Sequence, residues 1–273
     1  LLGNAAAQHR QAATLLALAS WIAAQTGATV GYLGEAANSV GAQLVKALPG
    51  AGGLNAGQML SQPMKALLLL DVEPPRDAAD AAAAQAALAG SGLVVALTSF
   101  QDAAVPNADV LLPIAAFTET AGSFVNAEGR LQSFTGVVPP VGDARPAWKV
   151  LRVLGNLLGL KGFEHETTDD VRAEALGDAA KGDAAKLAAR LDNSTTAAIT
   201  LADTPAGLQR LAEVPIYATD ALVRRAPSLQ HTADAKAAPQ AGLPAALWQQ
   251  LGLNAGDSVR VAQGGAAAVL PAR

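Results

Sequence analysis

The chain has 273 residues, no cysteine, a formal net charge of -4 and 15% charged residues; 51% are hydrophobic, 4% aromatic and 65 are alanine. Zero cysteine excludes disulfides, zinc-thiolate sites, thiol nucleophiles and Cys-ligated iron–sulfur clusters within these residues. The mildly acidic balance gives no electrostatic draw toward nucleic acid or anionic lipid, and the length suits one large α/β domain or two ordinary ones.

The first pattern is a helix from about Asn4 to Gln25. Arg10 and Glu35 bracket 24 uncharged residues, long enough for a membrane span. Alanine inserts poorly, though, and Gln11, Thr14, Ser20 and Gln25 dilute the stretch, while Leu15, Leu18 and Ile22 describe one apolar face of a soluble helix. A strand over Ala28–Leu33 follows, then a helix from Asn38 or Ser39 to Leu48, stopped by Pro49-Gly50. The run Lys65–Val72 reads as a strand covered on both faces, ended by Pro74-Pro75. An alanine-rich helix from Asp77 to Ala89 closes at Gly90-Ser91-Gly92. Strands over Leu93–Thr98 and Ala108–Ile114 complete a series of βαβ units, and the expectation is α/β: a doubly wound, mainly parallel sheet.

After Trp148 the texture changes. A helix is expected over Lys149–Leu160, and short helices near Asp169–Leu176 and Ala184–Leu191 lie in an otherwise polar stretch. From Val214 the pattern is short β segments, Pro215–Tyr217, Leu222–Arg224 and Gly256–Val261, with a helix over Leu243–Leu251. Three parts are therefore expected: an α/β domain over 1–165, a polar helical connector over 166–213 and an incomplete β-barrel module over 214–273. The chain opens at Leu1-Leu2-Gly3 without methionine and stops in a strand-like passage, so the sequence reads as a piece of a longer polypeptide.

Most apparent sites dissolve on inspection. The glycines of 49–57 follow a helix, whereas a phosphate-binding fingerprint sits between a strand and a helix N-terminus. Glu164-His165-Glu166 matches no helical zinc spacing. Ser228, His231 and Asp234 lie on one local segment, without the Gly-x-Ser-x-Gly turn of a hydrolase nucleophile. The densest feature is Phe117–Gln132, just past a strand's carboxyl end, with Glu119, Glu128, Asn126, Arg130 and two glycines. It is read either as a binding loop or as a polar network joining domains.

Ala108-Asp109-Val110-Leu111-Leu112-Pro113, Glu119-Thr120, Gly122–Phe124 and Asn126–Gln132 resemble the signature of the molybdopterin oxidoreductase family. Within it, Thr26-Gly27-Ala28, Ala37–Ala42 and Ala144–Leu151 are similar to the branch that serves bacterial respiratory complex I, the NADH-quinone oxidoreductase. Val223–Arg225, Ser228–Thr232 and Leu251–Val261 resemble the family's small barrel module, of double-psi type.

This resemblance implies a scaffold in the peripheral arm, on the cytoplasmic side of the bacterial inner membrane and not inserted into it. Its partners would be other complex I subunits and an amino-terminal part of its own chain, where cysteines hold 4Fe-4S and 2Fe-2S clusters. No catalytic residue, metal or cofactor is expected in these residues. The alternative is an active molybdopterin enzyme such as a formate dehydrogenase, in which Glu119, Asn126, Arg130, His231 and Thr232 would line the pterin. A third reading is an unrelated nucleotide-binding α/β module.

Overall fold

Leucines occupy all of Leu67–Leu70, too short a run for a helix, and they form the first strand. The structure, a computed structural model, describes residues 1–7, 9–34, 36–101, 105–192, 194–200, 206–211, 214–237 and 239–273. It falls into two compact units, Leu1–Ala206 and Gly207–Arg273.

In the first unit α1 (Asn4–Ala7) and α2 (Ala12–Thr26) replace the single helix expected there. His9 makes the break, its Nδ1 accepting from the Gln11 amide at 3.1 Å. Gly27, at φ +71°, ends α2 in the left-handed conformation that favours glycine. The expected strand over Ala28–Leu33 is reduced to one parallel bridge between Leu2 and Tyr32. There follow α3 (Ser39–Leu44), α4 (Ala56–Met59), β1 (Leu67–Leu70), α5 (Pro74–Asp77), α6 (Ala81–Gly90), β2 (Val94–Thr98) and β3 (Val110–Pro113). The prolines do more than end β1, because Pro74 and Pro75 open α5, where their fixed φ suits a first turn.

β1, β2 and β3 pair in parallel in that order, with Leu67 beside Val94 and Ala96 beside Leu111. This gives the mixed α/β class, although the described sheet has no strand-order reversal. Leu67, Leu69, Val94 and Ala96 meet Leu88 of α6 and Val105 in one core. Ala84, Ala87 and Leu88 are the buried residues of α6, and two small side chains among them let it lie close to the sheet. Asp109 registers the edge: its carboxylate accepts from the Val94 amide at 2.7 Å, and its own amide donates to the Val94 carbonyl.

The expectation that β1 is covered on both faces is corrected, for Leu68 is 49% and Leu70 45% exposed. Leu88 of α6 packs against the side of β1 that carries Leu67 and Leu69, and a continuous apolar run does not reveal that asymmetry.

Beyond β3 come a 3-10 turn (Phe117–Glu119), the hairpin β4 (Gly122–Val125) and β5 (Leu131–Phe134), α7 (Ala147–Leu157), α8 (Thr168–Leu176), a 3-10 turn (Gly177–Ala179) and α9 (Ala184–Ala188). Val125, Leu44, Leu176, Ala179 and Leu187 form a second core. Residues of the polar connector stretch thus supply the apolar side chains under the hairpin.

The second unit holds a 3-10 turn (Ile216–Ala218), α10 (Ala221–Arg224), α11 (Pro227–Gln230), α12 (Ala233–Ala237), α13 (Ala245–Gln250), β6 (Ser258–Gln263) and β7 (Ala266–Pro271). The β segments expected at Pro215–Tyr217 and Leu222–Arg224 are helical. Asp220 is the reason, its carboxylate accepting from the Leu222 and Val223 amides, both at 2.9 Å. β6 and β7 pair antiparallel across Gly264-Gly265, whose positive φ angles of +58° and +86° suit a two-residue hairpin. Among the described residues of this unit there is one hairpin plus an Ala241–Ala272 bridge, and no closed barrel.

Candidate functional site

The loop singled out in the sequence leaves the carboxyl end of β3, where open α/β sheets carry ligand loops. Its return anchors beside the same strand: the Ala115 amide donates to the Arg145 carbonyl at 2.9 Å, and Ile114 bridges Arg145. Inside this frame the polar side chains are occupied locally. Glu119 is half-buried, and its carboxylate accepts from the Ala116 amide at 3.1 Å while its own amide donates to the Ala116 carbonyl. Asn126 closes the hairpin, its side-chain oxygen taking the Glu128 amide at 3.0 Å and the Arg130 amide at 2.9 Å. This is an Asx turn, and Gly129 at φ +81° supplies the left-handed residue that completes it. Arg130 follows that turn, at the start of the returning strand.

Two residues that sequence reading missed hold the hairpin in place. Asn38 accepts from the Val125 amide at 2.8 Å, across 87 positions of sequence. Gly41 permits this, because a Cβ there would collide with the Asn38 carboxamide. On the other side Arg172 of α8 donates to Ser133 Oγ at 2.8 Å and Ser123 Oγ at 3.4 Å, and pairs with Asp169 at 3.0 Å. The two hydroxyls also bond each other at 2.8 Å. No local pattern announces either link, since each joins elements distant in sequence.

A second carboxylate at the sheet's carboxyl edge also escaped notice. Glu73, just past β1, is 2% exposed, the one buried charged residue among those described. Its amide donates to Asp77 at 2.6 Å, and Arg76 lies 4.0 Å from its carboxylate.

In α8, Thr167 and Asp170 form a reciprocal cap, Asp170 accepting from the Thr167 amide at 2.8 Å and the Glu166 amide at 3.1 Å. The hydrogen bond with the Thr167 side chain, then those with the Thr167 and Glu166 amides, hold the Asp170 carboxyl below its ordinary 3.8. His165, from the Glu164-His165-Glu166 cluster, pairs with Glu174. Among the described residues no group of three or more ligand-type side chains could hold a metal ion, and no helix is long and apolar enough to cross a membrane.

His231 and Thr232 lie in the second unit, at the junction of α11 and α12. Thr232 donates to the Leu229 carbonyl at 2.7 Å and accepts from the Ala235 amide at 3.2 Å, so it works as a helix cap. His231 is exposed, and its backbone amide closes the last turn of α11 on the Pro227 carbonyl at 3.1 Å. Gln230 ties the junction together, donating to the carbonyls of Tyr217 at 2.9 Å and Val223 at 2.8 Å.

Comparison with known proteins gives this arrangement its context. The molybdopterin oxidoreductase family model matches residues 2–157. The chain is 42% identical over 91 residues to an NADH-quinone oxidoreductase subunit of Mycobacterium bovis, covering 32% of this chain and 11% of that one. It is 40% identical over 72 residues to the mitochondrial NADH dehydrogenase (ubiquinone) iron-sulfur protein 1 of Solanum tuberosum, covering 26% and 10%. Over 54 residues it is 46% identical to the mitochondrial NADH-ubiquinone oxidoreductase 78 kDa subunit of Candida albicans, covering 20% and 8%. The matched stretches span about a tenth of the length of these relatives.

Proposed function

The chain belongs to the molybdopterin oxidoreductase family, and we propose that it serves as a non-catalytic scaffold within the peripheral-arm subunit of an NADH-quinone oxidoreductase. One observation carries the reading. Three of the five side chains that would line a pterin are engaged with the backbone: Glu119 caps a turn, Asn126 closes a hairpin and Thr232 caps a helix. A pterin presents a fused ring rich in hydrogen-bonding groups, and an oxygen that already takes a local amide has less left to offer it. Three of these positions thus serve local structure, which supports a reading in which the residues of this chain carry no chemical step.

In this reading electrons from NADH pass toward quinone through 4Fe-4S and 2Fe-2S clusters held by cysteines elsewhere in a longer polypeptide. The present residues brace that part and neighbouring subunits, peripheral to the cytoplasmic face of a bacterial inner membrane. The longer polypeptide would also complete the doubly wound sheet and the double-psi barrel, around the division at 1–165, 166–213 and 214–273. The names of the relatives support this reading, since each is a protein of an NADH dehydrogenase or NADH-quinone oxidoreductase.

The test is purification of the native assembly through a tag on this chain. The tagged protein is expected to co-purify with NADH-oxidising, quinone-reducing activity. Recovery as a separate protein without that activity would contradict the proposal.

A further inference from the structure

The outward side of α7 carries a cationic start and an apolar finish, both open to solvent. Lys149, Val153 and Leu157 are spaced by four, so they form a single ridge along the helix. Val153 is 52% and Leu157 80% exposed; Lys149 is exposed too, its ammonium 5.4 Å from the centre of the neighbouring Trp148 ring. The opposite side is the packed one: Gly155 is buried, and a Cβ there would collide with the Phe163 ring.

Cations outnumber acids at the amino-terminal end, where Asp143 is the one acidic residue between positions 141 and 160. Arg145 precedes the helix and Lys149 and Arg152 fall in its first two turns. The first turn has no acidic residue, and among the described residues none of the three cations is paired with a carboxylate within 4.0 Å. The helix dipole adds to the same positive end, where cations are normally disfavoured. Arg152 Nε is buried without a hydrogen-bond partner. The Arg145 guanidinium donates to the Gly142 and Ala144 carbonyls, at 3.3 and 2.7 Å, which leaves Lys149 and Arg152 as the cations of α7 open to a partner. The loop leading into α7 extends the apolar part, with Val141 77% exposed.

We infer that this ridge is a docking surface for another polypeptide of the assembly, one offering an apolar groove for Val153 and Leu157 and carboxylates at the end that meets Lys149 and Arg152. Charge complementarity selects the occupant: an acidic surface relieves the unpaired cations, and an apolar groove removes the leucine and valine from water. The inference rests on the proposal that the chain works inside a multi-subunit complex.

Zero-length carbodiimide coupling tests it on the intact assembly, because that reagent joins a lysine amine only to a carboxylate within ion-pair reach. Lys149 is expected to be joined to an Asp or Glu of a different subunit. The double variant K149E/L157E is expected to lower the yield of intact assembly at least tenfold, while the same double variant in the 273-residue chain leaves its circular dichroism and melting unchanged. A Lys149 that couples to nothing and stays as reactive toward an amine reagent in the assembly as in the isolated chain overturns the inference. So does coupling within the same polypeptide, or a ridge that binds anionic vesicles while the variant assembles normally. If the tagged chain enters no complex, it is the scaffold proposal that fails.

Discussion

Asn126 illustrates how one side chain can be recognised in a sequence and misjudged in role. Its place in a dense polar loop after a strand marked it as a candidate ligand contact, and the structure uses it to hold two amides across a hairpin. Replacing Asn126 with Ala hands those exposed amides to water and is expected to cost about 0.5–1.5 kcal/mol, read as a fall in the urea midpoint. Gly41→Ala is expected to cost about 1–3 kcal/mol, by driving Asn38 off the Val125 amide. Val125 amide exchange should rise in that variant, and unchanged exchange would contradict the assignment. Asn38 and Arg172 were not legible because their partners lie 87 and 39 positions away, beyond any local spacing rule. Asp170 gives a pH signature. Its folded carboxyl titrates below 3.8 through the hydrogen bonds of the α8 cap, so the cap contributes above that pH and is lost as pH falls through the lowered value. Asp170→Asn is expected to flatten this acid-side loss in helicity.

At the scale of elements, periodicity and composition placed the three parallel strands and their helices but not how they are covered. Leu68 and Leu69 are neighbours in one apolar run, yet Leu69 is 7% exposed and Leu68 49%. Leu68→Lys in the isolated chain is expected to change stability by no more than about 0.5 kcal/mol, whereas Leu69→Lys buries an unpaired charge and should unfold the unit. Equal effects would contradict a sheet covered on one face. The stretch from 168 to 191 reads as polar in composition, but Leu176 and Leu187 sit at 4% and 0% exposure beneath the hairpin. Leu187→Ala is expected to cost about 2–5 kcal/mol. The 215–224 segments went wrong for a plain reason: their apolar residues suggested strands, and the cap at Asp220 nucleates helix instead.

The whole molecule leaves a great deal of surface open. Trp21, Leu68, Leu70, Val141 and Leu157 are among the large apolar side chains left exposed, and the proposed function has partners cover such surface. Composition already hinted at this through alanine, which packs closely but buries little area per residue. The cysteine count acquires its meaning at the same scale: these 273 residues hold no cysteine, and the proposed function puts the cluster ligands elsewhere in a longer polypeptide. The most direct measurement of that claim is elemental analysis of the native full-length protein that contains this sequence. The account predicts iron in cluster stoichiometry with neither molybdenum nor tungsten; stoichiometric molybdenum or tungsten would contradict it.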